Sequence, residues 1–309
     1  MARPLFLTTL VLLVVIIVPF SGCGGAKKKG GSLTIGQQLE KAKIEKDGQK
    51  KAVALMKIAR GQSKAGDKSG AANTARDAFE SLPKEGDAGV LAPRFVEIAG
   101  FLASIGEKTK AKEALGHAEK MVDGIPDKVR QADVLADIGG IFADRSGGLG
   151  DQKAAAAIFE RAEKVAEEVE ERFRGQALAA VALGYTKGGL KDRAAAMVEK
   201  LEASGKGLED TRAKAETLAV AATVRFQTGT AEAAKALLEE ASKEAEAVQS
   251  SESRTYALLA VARAMVDVDD KPAAKKMLDK AYAAANKVGD PTQREQALAK
   301  VATEMDGLK

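Results

Sequence analysis

The chain has 309 residues, 45% of them apolar and 30% charged, which is enough apolar content for a large folded core and excludes a disordered protein. Aromatic residues make up only 4% and tryptophan is absent, which favours close-packed helices over a sheet. The 48 basic and 44 acidic residues leave a net charge of +4, and this near balance does not indicate a nucleic-acid partner. With one cysteine and one histidine, the chain cannot form an internal disulfide or a Cys/His zinc cluster.

The first 22 residues are typical of a secretory signal peptide, because Arg3 precedes an apolar run over residues 5–20. The segment Phe20-Ser21-Gly22-Cys23 resembles the lipobox of bacterial lipoproteins, with phenylalanine where leucine is usual. The resemblance implies that Cys23 becomes the lipidated first residue of a mature envelope protein. Residues 23–32, which carry that cysteine and then Gly, Ala and Lys, are predicted to form a flexible tether.

An uncleaved anchor helix is the alternative for this segment. Residues 5–23 nearly reach the ~20 residues that a membrane-spanning helix needs. Three lysines at 27–29 outweigh Arg3, and the positive-inside tendency would then leave the rest of the chain in the cytoplasm.

After the tether, residues 33–46 are predicted to form an opening helix that uses Ile35, Leu39 and Ala42. A pattern of about 40 residues then repeats, with spacings of 40 except for a single 43, where the segment 145–152 lengthens one turn. The corresponding large residues are Leu55, Phe95, Leu135, Leu178, Leu218, Leu258 and Leu298. We call these residues the anchors. A regular period of this length is the mark of a helical solenoid.

Each unit is predicted to be two antiparallel helices, A and B. In the sixth unit, Leu258, Val261, Ala262 and Met265 form one helical stripe. Glycine stands at the turn between the two helices in four units, at Gly66, Gly106, Gly189 and Gly229.

Small residues recur twelve positions apart on helices A and B, and this spacing resembles that of tetratricopeptide (TPR) repeats. The pairs are Ala59–Ala71, Ala99–Ala111, Ala182–Ala194, Ala222–Ala234 and Ala262–Ala274. In the third unit the turn insertion separates Gly139 from Ala155, and in the fourth Leu201 stands where a later alanine of helix B is usual.

The resemblance implies an all-α, right-handed α-solenoid over residues 33–309, with about six helix pairs and a C-terminal capping helix. The usual TPR period is about 34 residues, so we expect the extra length at the end of helix B and in the connection after it. The last helix is predicted to begin at Asp290-Pro291 and to carry Leu298, Val301, Ala302 and Met305, with Lys300 and Glu304 pointing outward.

TPR arrays bind peptides or protein surfaces in a groove lined by the A helices, so the resemblance implies a partner-binding groove here. The positions that correspond to it include Arg60, Val96, Leu183, Thr223, Phe226, Tyr256, Leu259 and Arg263. They are mostly small or apolar, which favours an apolar helix or an extended peptide over an acidic chaperone tail. The alternative is that these side chains only pack against neighbouring helices.

Basic residues also recur four positions before the anchors, at Lys51, Arg174, Lys214, Arg254 and Arg294. We call this series the basic ladder. It could bind an acidic partner, or each cation could pair with an acidic group on a neighbouring helix B.

No residue pattern indicates catalysis, a cofactor or a metal. The segment 61–69 follows a helix rather than a strand and is not a phosphate-binding loop, and residues 267–270 lack the further ligands of a calcium loop. His117 stands alone on a helix B. The sequence therefore predicts a non-catalytic, envelope-anchored scaffold that binds an unidentified protein or peptide, with the membrane reached through Cys23 and self-association open. The alternatives are a cytoplasm-facing adaptor and a helical enzyme or carbohydrate-binding protein.

Overall fold

The computed structural model describes residues 33–308, apart from the side chain of Arg172. The predicted signal peptide, its alternative as an anchor helix, the lipidation site at Cys23 and the tether lie outside the described residues.

Within residues 33–308 the chain forms fourteen α-helices and no strand. Helix α1 (Ile35–Lys43) opens the array. The A helices are α2 (Gly48–Lys64), α4 (Ala88–Ser104), α6 (Lys128–Ala143), α8 (Glu171–Lys187), α10 (Thr211–Gln227), α12 (Ser251–Asp267) and α14 (Pro291–Gly307). The B helices are α3 (Lys68–Ser81), α5 (Lys108–Val122), α7 (Gln152–Glu167), α9 (Lys191–Gly207), α11 (Ala231–Ala247) and α13 (Lys271–Ala285). From α2 to α12, each A helix packs on the B helix that follows it, and from α4 to α12 each A helix also packs on the next A helix along the chain, so the predicted all-α solenoid is confirmed.

The 40-residue period has a simple origin in helix lengths. In five of the six pairs, helix A has 17 residues and a turn of three residues follows it. Helix B varies from 14 to 17 residues, and the connection after it is shorter wherever helix B is longer. The third pair departs because eight residues, 144–151, separate α6 from α7. In these five pairs a helix A of 17 residues, a turn of three, and a helix B whose length is balanced by its connection therefore set the 40-residue period.

In five of the six turns from helix A to helix B, a residue with positive φ lies directly after the C-cap of the helix. The predicted glycines take this conformation, with φ of 83° at Gly66, 92° at Gly106, 72° at Gly189 and 96° at Gly229. In the sixth unit Asp269 takes it instead, with φ of 62°. An aspartate tolerates this backbone better than most residues with a side chain, which explains why the unit turns correctly without glycine.

Aspartates cap the A helices at the same interval as the anchors. The carboxylates of Asp47, Asp87, Asp127, Asp210 and Asp290 each accept a hydrogen bond from a backbone N–H in the first turn of the following helix. Ser250 does the same for α12. Each cap satisfies one of the helix N–H groups that has no partner within the helix.

The anchors and the small residues form the core. Six anchors, all except Leu298, are buried, and so are both members of every small-residue pair. Leu201 is fully buried as well, so the fourth unit accommodates a larger side chain at that place. Glycine allows the closest approach of two A helices, because a Cβ atom on Gly184 of α8 would lie 2.7 Å from the carbonyl oxygen of Ala136 in α6.

The two ends of the array differ from the prediction in detail. In α1, Ala42 is buried while Ile35 is exposed. In α14, Val301 is buried, but Ala302 is exposed because no helix B follows to cover it. Glu304, expected to point outward, instead forms an ion pair with Arg263.

Candidate functional site

The A helices line one continuous groove. A cavity of about 840 Å³ lies across α2, α4, α6 and α8, and a second of about 450 Å³ lies across α6, α8, α10, α12 and α14. Asp133, on α6, lines both cavities, so the two adjoin at this residue. Both volumes fall within the range of typical ligand clefts.

The structure places most of the predicted groove residues along this surface. Arg60 and Val96 line the first cavity. Leu183, Tyr256, Leu259 and Arg263 line the second. Two of these six, Val96 and Leu259, are buried and therefore present few atoms to a ligand.

The two remaining predicted residues lie apart from the groove cavities. Thr223 is buried, and its hydroxyl donates to a carboxylate oxygen of Asp267 at 3.5 Å. Phe226 lines a separate cavity of about 560 Å³ between the B helices α11 and α13. The structure therefore does not bring Phe226 together with Tyr256.

Ion pairs link successive A helices along the groove. Arg60 of α2 binds Glu97 of α4 at 2.8 Å, and Arg263 of α12 binds Glu304 of α14 at 2.6 Å. Lys187 of α8 binds Asp137 of α6 at 2.7 Å. Arg60 and Arg263, the two arginines among the predicted groove residues, are thus paired with neighbouring carboxylates. Ion pairs this exposed contribute only ~0–1 kcal/mol each.

Tyr256 is the main aromatic group of the second cavity. Its ring lies between two cations from other helices, with the Arg212 guanidinium 5.3 Å and the Lys300 ammonium 4.5 Å from the ring centroid. Arg212 also binds Glu216 at 2.8 Å on its own helix. These contacts hold the ring in place at the wall of the cavity.

Asp133 is a charged groove residue that the sequence-based prediction did not include. The walls of the groove displace water around its carboxylate, which raises the pKa of Asp133, and the nearby Asp137 raises that pKa further. Lys187 and Arg130 act in the opposite direction. The repeat does indicate Asp133 as a groove residue, because it lies two residues before the anchor Leu135, just as Tyr256 lies two residues before the anchor Leu258.

The basic ladder has a structural role that neither sequence interpretation anticipated. Arg254 donates from Nε to the carbonyl oxygen of Val248 at 2.6 Å, just after the preceding helix B ends. Arg174 and Arg294 donate in the same way to the carbonyls of Val169 and Gly289. These arginines therefore bind backbone carbonyls rather than acidic side chains.

Only Lys214 makes the predicted kind of contact among the ladder residues whose partners the structure shows. It forms an ion pair with Glu244 on helix B of its own unit at 2.7 Å.

His117 is packed against aromatic rings. It is half-buried and stacks on Phe95 with ring centroids 5.1 Å apart. Burial lowers the pKa of His117, and the charges of Lys84 and Lys120 lower it further.

Residues 33–308 contain neither a metal-binding cluster nor a helix suited to span a membrane. This part of the chain contains no cluster of three or more His, Cys, Asp or Glu side chains arranged to hold a metal ion. None of its helices combines the length and the apolar character needed to cross a bilayer.

Comparison with known proteins shows remote similarity only. No protein-family profile matches the sequence, and neither does any curated protein. Ton1535 from Thermococcus onnurineus NA1 is 16% identical, over 86% of this chain and 94% of that chain, with a TM-score of 0.34. The assembly chaperone of RpL4 (Acl4, residues 1–338) is 16% identical, over 83% and 97%, with a TM-score of 0.36. NprR in complex with its cognate peptide NprX is 14% identical, over 85% and 74%, with a TM-score of 0.32. At this distance they carry no information about the groove.

Proposed function

We propose that this protein is a non-catalytic scaffold whose A-helix groove binds a helix or an extended segment of a partner protein. The observation that carries the proposal is that the two cavities adjoin at Asp133 and together extend along the A helices from α2 to α14. A long, open groove suits a chain of residues better than a compact small molecule, which needs an enclosed cleft.

The surface chemistry of the groove supports an apolar segment as the occupant. Pro93, Phe101 and Ile141 line the first cavity, and Leu183 and Val220 line the second. Most of the charged side chains between these apolar residues already form ion pairs within the groove. They therefore contribute to the orientation and specificity of the bound segment more than to its affinity.

The same proposal places the protein in the bacterial cell envelope, held to a membrane through Cys23. It rests on the signal-like residues 1–22 and on the position of the single cysteine directly after them. Mass spectrometry of the protein from its host should find an acylated Cys23 at the N-terminus. An intact Met1 would favour the cytoplasm-facing adaptor. Protease added to intact cells would then distinguish the two forms, because it can reach only a chain that faces outward from the cytoplasm.

Site-specific photocrosslinking tests the groove. A photoreactive residue replacing Tyr256 should capture the partner in the native host, whereas one replacing Tyr282, an exposed residue of α13, should not. Capture from the Tyr256 position should disappear in an Ala260→Arg variant, since Ala260 lines the second cavity, and should persist in Ala283→Arg on exposed α13 surface. Equal labelling from both positions, or no effect of Ala260→Arg, would contradict groove binding.

A further inference from the structure

The N-terminal end of the solenoid carries an exposed surface of mixed apolar and basic character. Leu33, Lys41 and Ile44 lie on or beside α1, and Lys50, Val53 and Lys57 lie on α2. The three α2 residues are separated by three and four positions, which places them on one side of that helix. Leu33, Lys41, Lys50 and Lys57 line one shallow cavity between α1 and α2. We call these six residues the terminal face.

Large apolar side chains are exposed at this end more than elsewhere. The described residues contain nine exposed large apolar side chains, and four of them lie between residues 33 and 53. Ile44 is 78% exposed, the highest value of the nine, and it stands at the C-cap of α1, where the chain turns toward α2. An isoleucine this exposed gains little burial of apolar surface from the fold of its own chain.

The charge of the terminal face is positive. Residues 33–57 contain six lysines and three acidic residues. Two of the three acids are engaged locally, because Asp47 caps α2 and the Glu45 carboxylate accepts a hydrogen bond from the backbone N–H of Asp47. Within the described chain, Lys41 and Lys57 have no ion pair, and Lys50 has only a 4.0 Å contact with Asp47.

We propose that the terminal face lies against an anionic lipid surface, with Ile44 inserted among the headgroups and Lys41, Lys50 and Lys57 beside the lipid phosphates. Amphipathic surfaces bind membranes when apolar side chains enter the interface and lysines meet anionic lipids. The inference rests on the proposed membrane attachment, since residues 1–32, which carry the predicted anchor, lead directly into Leu33. The anchor holds this end of the array close to the bilayer, so a weak surface contact is enough to orient the solenoid.

Fluorescence quenching in vesicles tests the contact on the acylated protein purified from its host. The sulfur of Cys23 carries the lipid in this form, so Ile44→Cys or Tyr282→Cys provides the one free thiol for an environment-sensitive label. The matched control, Tyr282, is exposed on α13 near the other end of the array. In vesicles of phosphatidylcholine with phosphatidylglycerol, quencher-bearing lipids should quench the label at position 44 but not the label at position 282. The charge-reversal variant Lys41→Glu/Lys50→Glu/Lys57→Glu should lose the quenching while its helical circular dichroism stays unchanged.

Flotation of the same vesicles separates this inference from the proposed anchoring. A chain that floats with the vesicles while its position-44 label stays unquenched retains the anchor but overturns the terminal-face contact. A chain that does not float overturns both. Quenching that persists in pure phosphatidylcholine, or in the charge-reversal variant, would also overturn the contact with anionic lipid.

Discussion

At the scale of single residues, helix ends decide where each unit turns. The glycines that follow the A helices adopt positive φ, and the aspartates that precede the A helices bind the first backbone N–H groups. Arginines of the basic ladder bind the carbonyl groups left at the ends of B helices. Backbone groups at both ends of the connections therefore have partners, which keeps these connections short and ordered.

Two glycines near the end of α2 should respond oppositely to the same substitution. Gly61 is helical and Gly66 has φ of 83°, while a Cβ atom at either would meet no other atom within 4 Å. Gly61→Ala should raise the free energy of unfolding by about 0.5–1 kcal/mol, because glycine loses more backbone entropy in a helix. Gly66→Ala should lower the free energy of unfolding by about 1–2 kcal/mol, because the left-handed backbone conformation is strained for alanine. Urea unfolding followed by circular dichroism measures both, and shifts of equal sign would contradict this account.

At the scale of helices, small residues let neighbouring helices pack closely. Residues that differ from unit to unit give each interface its own contacts. The position seven residues after the anchor illustrates the variation. Tyr185 donates a hydrogen bond to Glu163 on the preceding helix B, whereas Arg225 forms a 2.6 Å ion pair with Glu202. At the corresponding place Met265 is buried in the core and also lines the cavity between α11 and α13. The repeat thus keeps its backbone arrangement while the chemistry between units changes.

The alanine spacing predicts at which helix contacts a larger side chain would be destabilising. Ala262 of α12 is 1% exposed, so Ala262→Leu should overpack the interface and lower the free energy of unfolding by about 1–3 kcal/mol. Ala283→Leu on exposed α13 surface should change it by less than about 0.5 kcal/mol. Chemical denaturation of the two variants beside the parent chain measures the difference. If Ala262→Leu were as stable as the control, the assigned register would be wrong.

At the scale of the whole molecule, units of 40 residues stack because each leaves one side for the next to cover. The exposed Ala302 on α14 shows what happens where no helix B follows. Stacking also creates the groove, since its two cavities are each lined by at least four A helices. In such arrays stability is close to a sum of unit and interface contributions.

Excision of one period should therefore be tolerated better than excision of half a period. Removing residues 211–250 joins the capping residue Asp210 to α12 and keeps the alternation of A and B helices. Circular dichroism should show the same helicity per residue, with a lower melting temperature because one interface is lost. Removing only 231–250 places two A helices in succession and should abolish the cooperative transition. Equal damage from the two deletions would argue against modular stacking.

The sequence by itself determined the helical period, the all-α solenoid, the turn glycines and the buried anchors. It did so because these depend on local spacing, and spacing is read directly from the chain. The capping residues Asp47, Asp87 and Asp127 could also have been identified from the sequence, because they recur at intervals of 40 residues.

Only the tertiary structure decided which groove side chains lie together. It joined the two cavities at Asp133, paired Arg263 with Glu304, and placed Phe226 on a different surface from Tyr256. These relations depend on the angle and distance between helices of successive units. Packing across several interfaces determines both, and no residue spacing within one unit contains that information.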